Sequence, residues 1–79
     1  MSGKSGRIVK EGDTFTVNGV TYQFGSGSAA SYNLWLEFVA QGHRPSGAAN
    51  QIHVYIQNQP DGDFFTGEEI QKALEAQSH

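Results

Sequence analysis

The dipeptide Asn18-Gly19 lies between Thr14-Phe15-Thr16-Val17 and Val20-Thr21-Tyr22-Gln23-Phe24, two runs in which apolar and polar residues alternate. Asn and Gly both accept positive φ, which a two-residue type I′ turn requires at its central positions, and the twist of that turn matches the strands it joins. A tight hairpin follows. In its register Val17 opposes Val20 and Phe15 opposes Tyr22. Phe15, Val17, Val20, Tyr22 and Phe24 then share one face, while Thr14, Thr16, Thr21 and Gln23 take the other. The apolar face has to be buried, and a lone hairpin is at best marginal in water, so the rest of the chain must supply its cover.

Upstream, Ile8-Val9 reads as a short strand that the polar stretch Glu11-Gly12-Asp13 ends. The segment MSGKSG, residues 1–6, has the composition of a disordered tail, so residues 7–79 form a single small domain. Downstream, Gly25-Ser26-Gly27-Ser28 breaks the second strand. Residues 29–41 (AASYNLWLEFVAQ) then admit two readings. As a strand, Tyr32, Leu34, Leu36, Phe38 and Ala40 alternate with Asn33 and Glu37, but Trp35 and Val39 fall on the polar side. As a helix, Asn33, Glu37 and Gln41 make one narrow polar stripe. The helical reading is favoured because its ends are marked: Ser28 is placed to cap the start, Gly42 suits the left-handed position after the last turn, and Pro45 follows.

The loop His43 to Asn50 leads to Gln51-Ile52-His53-Val54-Tyr55-Ile56-Gln57, a strictly alternating strand with Ile52, Val54 and Ile56 inward and His53, Tyr55 and Gln57 outward. Asn58 to Asp63, with Pro60-Asp61-Gly62 inside it, reads as a turn. A short amphipathic helix ending near Ala76 is announced by a Thr66/Glu69 capping box, a Phe65/Ile70 hydrophobic staple and a Glu68/Lys72 pair. The order is ββαβα. It implies a small α+β domain in which an antiparallel sheet, made of the hairpin and one further strand, packs against two short helices.

Composition limits what such a domain does. At 79 residues without cysteine it builds one modest, unstapled core, and small scaffolds of this kind often gain stability by assembling. A net charge of −3 disfavours a salt-driven grip on nucleic acid, and Lys4, Arg7 and Lys10 read as a solvated arm. No apolar run is long enough for a signal peptide or a membrane span, which points to a soluble, cytoplasmic protein. Catalytic equipment is sparse: no Cys, no Gly-x-Ser-x-Gly elbow, and His43, His53 and His79 scattered between a loop, a strand and the terminus. The acidic residues Asp61, Asp63, Glu68 and Glu69 lack calcium-loop spacing and are placed to offset a helix dipole. No metal or cofactor is implied, and an enzyme is not expected.

Two functional readings remain. Five Phe, three Tyr and one Trp are more rings than one core of this size readily buries. Exposed Tyr32, Trp35 and Tyr55 would then form an interface, making the chain a non-enzymatic, homo-oligomeric module that binds or inhibits a larger protein, as small accessory proteins of phages and mobile elements do. The alternative is a site for a small phosphorylated, nucleotide-like ligand. Gly25, Ser26, Gly27 and Ser28 would present backbone donors at a helix start, completed by His43 and Arg44 of a neighbouring subunit, because one subunit holds those two at the far end of the helix.

Overall fold

A computed structural model describes residues 8–57, 59 and 62–77. The elements are β1 (Thr14–Val17), β2 (Val20–Gln23), α1 (Ser26–Ala40), a 3-10 turn (Gly47–Asn50), β3 (Gln51–Ile56), β4 (Gly62–Thr66) and α2 (Gly67–Gln77). The order is therefore ββαββα, an α+β domain with one strand more than expected. The sheet is antiparallel throughout, with strand order β1-β2-β3-β4.

The hairpin forms in the register that its turn dictates, Val17 opposite Val20 and Phe15 opposite Tyr22. Asn18 and Gly19 adopt φ of 53° and 80°. Two further bonds, Gly12 N–H to Phe24 C=O and Phe24 N–H to Asp13 C=O, extend the ladder past the strand ends.

Residues 26–40 are helical, and the burial pattern shows why: Ser28, Ala29, Tyr32, Trp35 and Leu36 recur at helical spacing on one face. The helix starts before Ser28, so the expectation that Ser28 caps it is corrected. Gly25 is the capping residue, and Ser28 sits one turn in, where its Oγ accepts the Gly25 N–H at 2.9 Å. The far end closes as expected. Gly42 has φ of 91°, its N–H reaches Val39 C=O, and His43 N–H reaches Phe38 C=O, the paired bonds of a Schellman motif.

Two other readings are corrected. Ile8-Val9 is not a strand: Val9 is buried, and its N–H and C=O are both held by the Asn33 side-chain amide of α1, at 3.0 and 2.9 Å. A side chain thus does the work of a neighbouring strand. Residues 62–63, expected to close a turn, instead open β4, whose ladder with β3 runs from Tyr55 opposite Gly62 to Gln51 opposite Thr66. Gly62 is needed there, because a Cβ would run into the Val54–Tyr55 backbone. Asn58, Pro60 and Asp61 of the expected turn, and the expected tail 1–6, lie outside the described residues.

Both helices cover the same face of the sheet. The sheet curls tightly enough for Phe65 on β4 to meet Phe15 on β1 and Tyr22 on β2 edge-on, at 5.9 and 4.9 Å between ring centres. The core inside that curl comprises Phe15, Phe24, Tyr32, Trp35, Ile52, Val54, Ile70 and Leu74 with their neighbours. Burial of each large apolar side chain contributes roughly 1.5–3 kcal/mol. At the start of α2 the Thr66/Glu69 capping box is complete, Thr66 N–H to Glu69 Oε1 and Glu69 N–H to Thr66 Oγ1. Among the described residues no helix is long and apolar enough to cross a membrane.

Candidate functional site

Tyr32 and Trp35 do not reach the surface, and their expected exposure is corrected. Tyr32 is fully buried and Trp35 is 4% exposed. They stack on each other at 5.9 Å with their planes 17° apart, and Phe24 lies 5.8 Å from Tyr32. Trp35 is roofed by Gly67 at the first position of α2, where any Cβ would collide with the indole. That close approach lets one small core absorb both rings.

The expected surplus of rings is nonetheless present, in different residues. Phe15, Tyr22, Phe24, Tyr32 and Trp35 are buried and Phe65 is half-buried, which leaves Phe38, Tyr55 and Phe64 exposed. Phe38 lies with Leu34 on the outer flank of α1 and packs edge-on against His43. Tyr55 and Phe64 lie on the sheet face turned away from both helices. Tyr55 is the interface candidate that the structure leaves accessible.

Strand register determines what surrounds them. Because side chains alternate, the inward placement of buried Ile52 and Val54 and half-buried Phe65 puts Gln51, His53 and Tyr55 of β3 on the outer face with Phe64 and Thr66 of β4. The outer row of the hairpin, Thr14, Thr16, Thr21 and Gln23, continues the same face through the Gln23–Tyr55 pair. None of these residues is Asp, Glu, Lys or Arg, although the chain carries 13 such residues. At the centre of this chargeless face, the His53 ring stacks on Phe64 at 4.6 Å and leans on Tyr55 at 5.3 Å. Phe64 is 60% exposed and Tyr55 38%. Two rings packed against a third between them lose little side-chain freedom on docking, which favours tight contact.

The proposed anion turn looks different in place. The Gly25 N–H is taken by Ser28, Ser28 itself is buried, and only Ser26 and Gly27 are exposed. Gly25 lies under the Tyr55 ring, so the turn and the aromatic cluster adjoin. His43 and Arg44 lie at the other end of α1, about 22 Å away along a 15-residue helix, as expected within one chain. There His43 closes the helix end, and Arg44 forms an ion pair with Glu68, which takes Glu68 away from its expected partner Lys72. With Phe38, Pro45 and Ala49 they line an open cleft of about 470 Å³.

Two of the other acidic candidates have local roles. Glu69 completes the capping box, and Asp63 accepts a 2.9 Å hydrogen bond from the Tyr22 hydroxyl. Burial raises the Tyr22 pKa above its ordinary value of 10.0, and the hydrogen bond to Asp63 and that residue's negative charge raise it further. Asp61 lies outside the described residues. Phe64 is the residue that sequence reasoning overlooked. Its signal was the alternation Asp63-Phe64-Phe65-Thr66, which the preceding Pro-Asp-Gly obscured. No protein-family model matches this chain, and neither a curated protein nor a solved structure shows significant similarity to it.

Proposed function

We propose that this chain is a small non-enzymatic interaction module that associates with itself and docks a larger protein through the outer face of its sheet. His53, Tyr55 and Phe64 are the centre of that contact. The observation that carries this reading is the coincidence of exposed rings packed around His53 with a face free of formal charge. Interface cores are depleted in charged side chains and enriched in Tyr and Phe, because full desolvation costs those rings little and costs a carboxylate or ammonium much. Leu34 and Phe38 on α1 are also exposed, but Glu37 stands between them in sequence on the same exposed flank. Thr and Gln around the rings supply neutral hydrogen-bonding groups for a rim.

Native mass spectrometry with sedimentation velocity tests the reading. Wild-type protein is expected above its monomer mass of 8.6 kDa at micromolar concentration. At least one of Tyr55→Lys and Phe64→Lys, both on the solvent side of the sheet, is expected to shift it to monomer with unchanged circular dichroism. Leu34→Lys is expected to leave the assembly intact. Assembly unaffected by either sheet variant, or dispersed by Leu34→Lys alone, overturns the assignment.

A further inference from the structure

The two edges of the sheet are treated differently. On β1 the outward Thr16 N–H donates to Gln77 Oε1 at 3.1 Å, and Gln77 Nε2 donates to Thr14 C=O at 3.0 Å. The last residue of α2 thus occupies that edge as a strand partner would. Edge strands left open are templates for pairing, and covering one with a side chain is a means of preventing it. Among the described residues no such cover exists on β4. Among the described residues, the backbone of Asp63, Phe64 and Phe65 makes no hydrogen bond beyond its ladder with β3. This open edge also carries Phe64, more exposed at 60% than any other Phe, Tyr or Trp.

We propose that two copies of the chain pair through β4, antiparallel, about a two-fold axis normal to the sheet, so that residue 64 meets its own copy. The proposal rests on the reading of the outer face as the interaction surface, and it names the partner and the geometry. The register follows from symmetry and charge. Such an axis keeps each outer face on the same side, so facing residues share a face and the centre of the pairing falls on a residue. Centring on Asp63 would oppose two carboxylates, which destabilises a pair. Centring on Phe65 would set Asp63 against Gly67, which belongs to α2 and is buried against Trp35. Centring on Phe64 places Asp63 across from Phe65 of the second copy and joins two uncharged rings. The result is one eight-stranded sheet whose outer face carries a continuous row of stacked rings, His53–Phe64 from one copy followed by Phe64–His53 from the other.

The chain contains no cysteine, so single thiols report the geometry without background. Facing residues of antiparallel strands have Cα atoms about 4.5–5.5 Å apart, inside the range of roughly 4.4–6.8 Å that a disulfide spans. Phe64→Cys is expected to oxidise to a covalent dimer under mild conditions. Tyr55→Cys, on the same face but separated from its copy by three strand spacings of about 4.8 Å, is expected to remain unlinked. In a second arm, Phe64→Lys and Phe64→Glu are each expected to weaken dimerisation about tenfold or more, and an equimolar mixture to form the heterodimer, because a residue on the axis meets only its counterpart. Wild-type protein that is monomeric, crosslinking no better at 64 than at 55, or a mixture that fails to recover the dimer overturns the pairing. If the wild type assembles and Tyr55→Lys disperses it while both arms at residue 64 fail, the edge pairing falls and the surface reading stands. If neither sheet-face lysine changes assembly, the surface reading falls.

Discussion

Gly67→Ala is the most informative single substitution inside the fold, because it separates a buried Trp35 from an exposed one. Gly67 occupies the first position of α2, where alanine on propensity alone would stabilise by up to about 1 kcal/mol. The added Cβ, however, would lie 2.6 Å from Trp35 Nε1 and nearer still to other indole atoms, whereas ordinary contact begins at 3.4 Å. The ring would have to retreat by about 1 Å within a packed interior. Its freedom to do so is small, since it is 4% exposed and also stacks on the fully buried Tyr32. Overpacking of this kind costs about 1–3 kcal/mol, and the locked ring puts Gly67→Ala near the upper end. Net of the helix gain, the loss is about 2 kcal/mol, from a total of roughly 4–12 kcal/mol for a chain of this length. Urea titration would show a lower midpoint at unchanged slope, and the melting temperature would fall by about 8–16 °C. Trp35→Phe, which frees space beneath the helix, would make Gly67→Ala less costly by at least about 1 kcal/mol in a double-mutant cycle. A neutral or stabilising Gly67→Ala, or strict additivity with Trp35→Phe, would refute the packing and restore Trp35 as a surface residue.

Three other perturbations have defined outcomes. Tyr22 is neutral in the fold, and its raised pKa means that this contribution is complete below the ordinary tyrosine value of 10.0 and is lost as pH rises through the folded-state value. Alkaline titration of stability should therefore fall more steeply for wild type than for Tyr22→Phe, and equal slopes would argue against the Tyr22–Asp63 arrangement. Asn33→Ala removes both bonds to the Val9 backbone. It should lower stability by about 2 kcal/mol and speed amide exchange at Val9, while Asn33→Asp should fail to rescue because it lacks the donor to Val9 C=O. Gln77→Ala should cost only about 1 kcal/mol but leave β1 open as well as β4, so light scattering should report species larger than the wild-type assembly.

The parts of the fold that were legible in advance are those whose causes lie within a few residues. Asn18-Gly19 sets its own turn, Gly42 closes α1 through bonds to the preceding turn, and the Thr66/Glu69 box spans four residues. Failures occurred where a distant segment decides. β4 exists because β3 offers it a ladder, and Pro60-Asp61-Gly62 masked that pairing locally. Burial of Trp35 depends on Gly67, 32 positions away, bringing a helix start onto the indole. Val9 is pinned by an amide from α1 that looked like part of a solvated stripe. Of the candidate site, Tyr55 and its neighbour His53 could be read from strand alternation, whereas Phe64 could not be placed until β4 had been. The excess of rings over core volume was visible from composition; which rings remained outside was a tertiary outcome.

The central claim is that the chargeless outer face of the sheet is where this protein meets its partner. Backbone amide chemical shifts followed across a concentration series, from predominantly monomeric to predominantly assembled protein, test it most directly. Shifts and broadening are expected to be confined to residues 51–55 and 62–66, with the α1 flank at Leu34 and Phe38 unchanged. Perturbations that map to that flank, with β3 and β4 silent, would contradict it.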